Sequence, residues 1–275
     1  MTGGVKVRIV LVAAGVVLVA GSLAWTVPAG MTAEEISPSV EGNEVLRALG
    51  EGVVGPAESF RPMSDPVRVA RWEPGEWTYQ ITAGARRGQT ERESLAPIGT
   101  TTRGESWQRT IGQEYTLYLL QTVEGHLLLP SEIAHAHAAL VQFEPPLSYL
   151  LAGLLPGERR AFDGRMEVYS SRDPALKRYS GRIQATTAYV GTYQVRTPAG
   201  AFSATLIRTD YRIDIFAIVS VRDTLYTFYA DGVGKVAEAE HRRISAVGLF
   251  NTDTYIGKVL VSFTPMAPPI RVESP

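Results

Sequence analysis

Two histidines one residue apart, His135 and His137, have a spacing that is typical of metal ligands. On a β-strand, residues i and i+2 face the same side, so both imidazoles could bind one ion. On a helix the two side chains would point about 200° apart and could not share it. A site would also need a third ligand, such as Glu132 or Glu144. Partly exposed histidines on a polar face are the simpler explanation of the pattern. We therefore predict no metal and keep His135 and His137 as weak candidates.

Two acidic pairs alternate along predicted strands. Glu238 and Glu240 would lie on one face of a strand, where two carboxylates could perform acid–base chemistry if their surroundings split their pKa values. A charged strand that is mostly solvated is the interpretation we prefer. Glu91 and Glu93 alternate in the same way beside several arginines, and we predict that they also lie on the surface.

Catalytic motifs are absent from the sequence. It contains no G-x-S-x-G, no H-E-x-x-H, no phosphate-binding loop and no G-x-G-x-x-G. The segment from Gly232 to Lys235 resembles the end of a phosphate loop, but Val236 lacks the hydroxyl group that would bind magnesium, so we predict a hairpin turn. The absence of cysteine excludes disulfides, thiol chemistry, cysteine zinc sites and a lipid-modified cysteine. The sequence predicts no cofactor and favours a non-enzymatic protein, with a metal enzyme using His135 and His137 as an alternative.

The region from Gly75 to Ser262 is rich in Tyr, Thr, Val and Ile, which is typical of strands. The predicted strands are 76–82, 89–95, 104–111, 115–123, 125–129, 160–170, 177–189, 191–197, 201–214, 216–229, 234–244 and 249–262. Turn signals occur at Asp163-Gly164, Pro198-Ala199-Gly200 and Asp231-Gly232. Residues 131–143 compete as a helix with Ser131 as N-cap, and 147–155 is apolar and loop-like.

Tight turns between neighbouring strands require an antiparallel sheet. The sequence offers no row of amphipathic helices to cover it, so the sheet must curl or form two layers. We predict a mainly β fold, in which a large twisted antiparallel sheet curls into a half-barrel or a two-layer structure with few short helices. A curled sheet can enclose a cavity lined by apolar side chains. The predicted ligand-binding residues lie in the apolar segment and just after the 198–200 turn: Leu147, Tyr149, Leu150, Leu151, Leu154 and Phe202.

Residues 1–29 have the pattern of an export signal. Lys6 and Arg8 precede 17 uncharged residues, 9–25, and Val27-Pro28-Ala29 forms a cleavage site. The uncharged run is also at the lower limit for a membrane span, so the segment is either a cleaved signal peptide or an N-terminal membrane anchor. Both interpretations place the rest of the chain outside the cytoplasm, in the periplasm or cell envelope.

The remaining chain divides by composition. Residues 30–74 form a proline-rich linker with one short helix, for which Asn43 is the N-cap and Gly50 the stop. We expect a tether over 30–56 and a strap on the domain surface after Phe60. Residues 75–262 are the antiparallel β domain, and 263–275 are a C-terminal tail.

The composition is that of an ordinary globular protein. The chain has 275 residues, of which 45% are hydrophobic and 20% charged, and its net charge is −1. This length corresponds to one or two domains. Because Arg and Lys are spread along the chain, no basic stripe predicts nucleic acid as a partner.

Three features together carry a resemblance to known proteins. Residues 195–202 read V-R-T-P-A-G-A-F, and residues 229–236 read Y-A-D-G-V-G-K-V. The third feature is F-E-P-P-L at 143–147 with L-P-G-E at 155–158. The chain thereby resembles uncharacterised bacterial envelope proteins that have a V-x-[VT]-P-A-G-x-F hairpin and a Y-A-x-G-V-G-x-V turn. The group is similar in outline to the half-barrel folds of lipoprotein carriers, an analogy at the level of fold that does not determine function.

Three functions follow as hypotheses. The first is an exported module that binds a lipid or another apolar ligand in its curved sheet. The second is a structural or assembly protein that binds another envelope protein through sheet edges and loops. The third is the metal enzyme. The membrane would be contacted through the N-terminal segment.

Overall fold

The computed structural model describes residues 43–58, 63, 65–215, 219–246 and 250–266. The signal or anchor predicted for residues 1–29 lies outside the described residues, as do residues 30–42 of the linker and 267–275 of the tail. In the described part of the chain, no helix is both long and apolar enough to cross a membrane.

The described chain is built almost entirely of strands. Its elements are α1 (Glu44–Arg47), β1 (Val54–Ala57), α2 (Pro66–Val69), β2 (Gly75–Ala83), β3 (Thr90–Thr101), β4 (Gly104–Ile111), β5 (Tyr115–Thr122), β6 (Leu127–Ala134), a 3-10 turn (His135–His137), β7 (Ala139–Leu150), β8 (Arg159–Ser170), β9 (Lys177–Thr197), β10 (Gly200–Ile215), β11 (Val219–Ala230), β12 (Gly234–Ala246) and β13 (Phe250–Pro265).

Twelve of these strands close into an antiparallel barrel. Strands β2 to β8 pair in chain order, as do β9 to β13, while β13 pairs with β2 and β8 with β9. The first part of the long strand β9 pairs with β8, and its last part pairs with β1. The predicted curled antiparallel sheet is confirmed, and its curl is complete because the β8–β9 ladder removes the free edges of a half-barrel.

One end of the barrel, which we call the capped end, is covered by residues 65–74. The ring of Trp72 packs against Trp107 and Tyr149, with centroid distances of 6.1 and 5.7 Å. The indole Nε1 of Trp77 donates to the carbonyl of Val233 at 2.7 Å, in the β11–β12 turn. The opposite end, which we call the pocket end, contains the β2–β3 turn (84–89) and the β4–β5 turn (112–114).

The segment 43–58 lies on the outer face of the barrel. Asn43 caps α1 as predicted, its Oδ1 accepting from the backbone nitrogens of Val45 at 3.0 Å and Leu46 at 3.3 Å. Leu46 and Leu49 are fully buried, and β1 pairs with β9. The tether expected for residues 30–56 is therefore wrong over 43–56, because burying these leucines attaches the segment to the barrel.

Gly257 of β13 permits this attachment. A Cβ at this position would overlap the carbonyl oxygen of Ala48, at the end of α1. We expect Gly257→Ala to lower the free energy of unfolding by about 1–3 kcal/mol, as overpacking does. It should also speed cleavage by trypsin after the exposed Arg47. Ser262→Ala, at an exposed position on the same strand, is the control. Equal cleavage rates in the two variants would contradict this packing.

The strand predictions agree with the structure at most positions. The 104–111 strand matches β4, and the turns at 198–200 and 231–232 join β9 to β10 and β11 to β12. The predicted strands 177–189 and 191–197 form one strand, β9. The turn predicted at Asp163-Gly164 is wrong, because both residues pair with β9 from within β8.

The region between Ser131 and Leu155 was predicted least well. The helix proposed for 131–143 is wrong: β6, the 3-10 turn and β7 occupy it. Ala139, Val141 and Phe143 are buried alternately, with the period of a strand. The loop proposed from Leu147 is also wrong over its first residues, because β7 continues to Leu150.

Candidate functional site

Glu93 of β3 is the centre of an ion cluster inside the barrel. Its Oε1 accepts from Lys235 Nζ and from Lys258 Nζ, both at 2.8 Å. Its Oε2 accepts from Arg109 Nε at 2.9 Å. The Glu93 side chain is 0% exposed, so it is shielded from solvent. One carboxylate therefore joins three cations from β4, β12 and β13.

Two further glutamates complete this ion cluster. Glu238 accepts from Lys235 Nζ and lies 3.0 Å from Lys258 Nζ, which also donates to Glu91 at 2.9 Å. The three carboxylates and three cations are electrically balanced, and Arg86, which contacts both Glu91 and Glu114, extends the cluster by one charge of each sign. Burial alone would raise the pKa of Glu93, but Lys235, Lys258 and Arg109 hold the pKa well below its usual range.

Aromatic side chains complete the environment of the cluster. Tyr79 donates to the carbonyl of Lys235 at 2.8 Å, and its ring lies 5.2 Å from Lys235 Nζ and 5.4 Å from Lys258 Nζ. Arg109 donates to Tyr149 OH at 3.2 Å. These contacts give the buried cations partners beyond the carboxylates, as buried charges require.

A second charged group lies closer to the pocket end and is acidic. Arg242 Nε donates to Asp223 Oδ2 at 3.0 Å, and Arg242 Nη2 contacts Glu240. Burial, together with the charge of Glu240, raises the pKa of Asp223 well above its usual range. The single guanidinium of Arg242 therefore pairs with two carboxyl groups, those of Asp223 and Glu240.

Glu132 of β6 adds a third carboxylate to this acidic group. Both of its oxygens are buried, and neither has a hydrogen-bond partner among the described residues. Burial raises the pKa of Glu132 to about 8, and Arg242 only partly opposes this shift. The Glu132 carboxyl is therefore protonated at neutral pH.

A pocket of about 190 Å³ opens into this region at the pocket end. Apolar side chains of Ile81, Ala83, Ile111 and Ile256 form part of its wall. The exposed β2–β3 turn borders its rim. Its inner surface is charged and reaches both groups through Glu91, Glu238, Glu240, Arg242 and Lys258, and the ion-paired Arg86 and Glu114 also line it.

The surface location predicted for the two acidic pairs is wrong. Glu91, Glu93, Glu238 and Glu240 are all at least nine-tenths buried. They point into the barrel because the intervening residues occupy its outer face. On β12, Ala239 lies between the two glutamates and is buried on that outer face, which α1 also contacts.

The predicted ligand-binding residues lie elsewhere. Leu147, Tyr149, Leu150, Leu151 and Leu154 are buried together in the hydrophobic core, and none lines the pocket at the pocket end. Phe202 is partly buried on β10, opposite Val195 of β9.

His135 and His137 lie in the 3-10 turn, not on a strand. The His135 Nε2 atom is 2.9 Å from Thr116 Oγ1, and the His137 carbonyl accepts from Arg178 at 2.9 Å. Within the described ranges, no group of three or more His, Asp or Glu residues is arranged to hold a metal ion.

Fold and site together define a closed antiparallel barrel with a charged interior and a pocket at one end. No protein-family model matches the chain, and no curated protein matches it. Among solved structures, it is similar to an exported protein with a YmcC-like fold from Bacteroides fragilis, with 16% identity and a TM-score of 0.43, over 70% of this chain and 96% of that one.

Two further solved structures are similar at lower scores. One, described as a lipoprotein from Parabacteroides distasonis, has 10% identity and a TM-score of 0.36, over 70% of this chain and 95% of that one. The other is the hypothetical lipoprotein YmcC from Escherichia coli, with 10% identity and a TM-score of 0.35, over 71% of this chain and 88% of that one.

Proposed function

We propose that this chain is an exported envelope protein that binds a small ligand in the pocket at the pocket end, without catalysing a reaction. The observation that supports binding most strongly is the pocket itself, which combines apolar walls with a charged inner surface. Such a combination is typical of ligand sites, where apolar walls supply affinity and a few polar groups fix orientation. The basic residues and uncharged run of the N-terminal segment support export.

The size of the pocket limits the ligand. A cavity of about 150 Å³ accepts benzene. A pocket of about 190 Å³ therefore holds about seven or eight non-hydrogen atoms of a ligand. This favours a small molecule, or the end of a longer one, over a whole lipid. A ligand site around Leu147–Leu154, as the sequence predicts, is less favoured because protein side chains pack that region.

The test is native mass spectrometry of the full chain, exported to a bacterial periplasm and purified without detergent. An extract of the same sample identifies any small molecule. We expect a stoichiometric adduct on the wild-type protein and its loss in Ala83→Phe, which fills the pocket from β2. Gln80→Phe places the same side chain at an exposed position on β2 and should keep the adduct.

A bare protein mass in all three samples would count against the proposed function. The assembly hypothesis would then become the better account, and crosslinking in membranes would be the next step. An adduct that persists in Ala83→Phe would show that the ligand binds at another site.

A further inference from the structure

We infer that the group of the ligand that reaches the inner end of the pocket is a cation, with a primary ammonium on a short apolar chain as the simplest form. The inference rests on the proposed function and specifies its ligand class. It is carried by the charge balance inside the barrel and by the position of Glu240 on the pocket surface.

The interior charges do not balance among the described residues. Six buried carboxyl groups face four cations, and Glu132 is one of the six but carries no charge at neutral pH because it holds its proton. The ion cluster around Glu93 has three charges of each sign, and Arg86 and Glu114 beside it add one of each, so this part is neutral. The excess negative charge therefore falls on the acidic group, in which Asp223 and Glu240 both contact the single cation Arg242.

The pocket is lined by residues of the acidic group as well as by residues of the neutral ion cluster. Glu240 and Arg242 both line the pocket. Among the described residues, all three cations that line the pocket are already engaged: Arg242 by Asp223 and Glu240, Arg86 by Glu91 and Glu114, and Lys258 by three glutamates. An added anion would meet carboxylates that lack cations. An added cation would provide the charge that the acidic group lacks, in surroundings where water screens little.

The apolar walls select among cations. Alkyl and ring groups fit against Ile81, Ile111 and Ile256. A bare metal ion would make no apolar contact with these walls. In the described part of the chain, no group of three or more His, Asp or Glu side chains is arranged to hold a metal ion. A small organic ammonium uses both surfaces of the pocket, the walls through its hydrocarbon and the carboxylates through its N–H donors.

The test compares three probes that share a six-carbon chain: hexylammonium, 1-hexanol and hexanoate. Isothermal titration of the full chain at neutral pH measures each affinity. We expect hexylammonium to bind about tenfold more tightly than hexanol, the ratio that separates a charge-assisted from a neutral hydrogen bond. Hexanoate should bind most weakly. Glu240→Gln should remove the preference for ammonium, and Glu144→Gln, in an exposed ion pair, should keep it.

The outcomes separate the inference from the function on which it rests. Equal affinity for hexylammonium and hexanol, both lost in Ala83→Phe, would overturn the inference and leave the pocket as a binding site. Binding of none of the three probes would overturn the inference, and it would overturn the proposed function as well if the native mass spectrum also shows the bare protein. A preference for ammonium that survives in Ala83→Phe would also overturn the inference, because the cation would then bind outside the pocket. Since Ala83→Phe tests the same site, the inference stays testable if Glu240→Gln does not fold.

Discussion

Glu93→Gln is expected to lower the free energy of unfolding by about 3–5 kcal/mol, the range for removing one partner of a buried ion pair. The glutamine would leave Lys235, Lys258 and Arg109 without their common carboxylate, in a place with no solvent to replace it. Lys258 would keep its ion pairs with Glu91 and Glu238. Arg109 would lose Glu93, which is its carboxylate partner among the described residues. Urea unfolding at neutral pH measures the effect.

The control for this prediction is Glu144→Gln, which removes one partner of an exposed ion pair with Arg165 and should change stability little. A double variant sharpens the test. Adding Lys235→Met to Glu93→Gln should cost less than the two single changes together, because the second change removes a charge that the first left unpaired. Equal stability of Glu93→Gln and Glu144→Gln would show that the cluster contributes little.

Glu132→Gln should have the opposite effect and stabilise the protein at neutral pH. The pKa of the Glu132 carboxyl is about 8 in the folded state against 4.5 as its ordinary value. Between those pH values the folded state keeps a proton that the unfolded chain releases. The stability that this group contributes is therefore complete below pH 4.5 and is lost as the pH rises to 8. The loss is about 1.4 kcal/mol per pH unit, or about 3 kcal/mol at pH 7.

Chemical denaturation of wild type and Glu132→Gln at several pH values tests this. The stability difference between them should grow from pH 5 to pH 8 in favour of Glu132→Gln. Glu105→Gln, at an exposed position on β4, should follow the wild type at every pH. Parallel curves for wild type and Glu132→Gln would mean that Glu132 is not held protonated in the folded protein.

The sheet was predictable because strand composition and turn residues act locally. Gly200 after Pro198 and Gly232 after Asp231 mark hairpins that the structure contains. Closure was not predictable from these signals, because it depends on pairing between β8 and one part of β9. The attachment of α1 was missed for a similar reason: it depends on Gly257, more than 200 residues away in the chain.

The site was missed because alternation does not tell which face of a strand is inside. Glu238 and Glu240 alternate with Ala237 and Ala239, and acidic residues are usually on the solvated face. Ala237 and Ala239 indicated the opposite orientation, because small residues on a strand allow another segment to pack closely over that outer face. Lys258, within an otherwise apolar stretch of β13, was a second signal that a cation lies inside. The partners of these residues come from distant strands.

The central claim is that the barrel interior holds more carboxyl groups than cations, so that one of them, Glu132, keeps its proton at neutral pH. Carboxyl ¹³C NMR of the full chain with labelled glutamate, followed through a pH titration, tests it most directly. We predict one glutamate signal that titrates near the value of about 8 given for Glu132, and its absence in Glu132→Gln. A spectrum in which every glutamate carboxyl titrates at or below the ordinary value of 4.5 would contradict the claim.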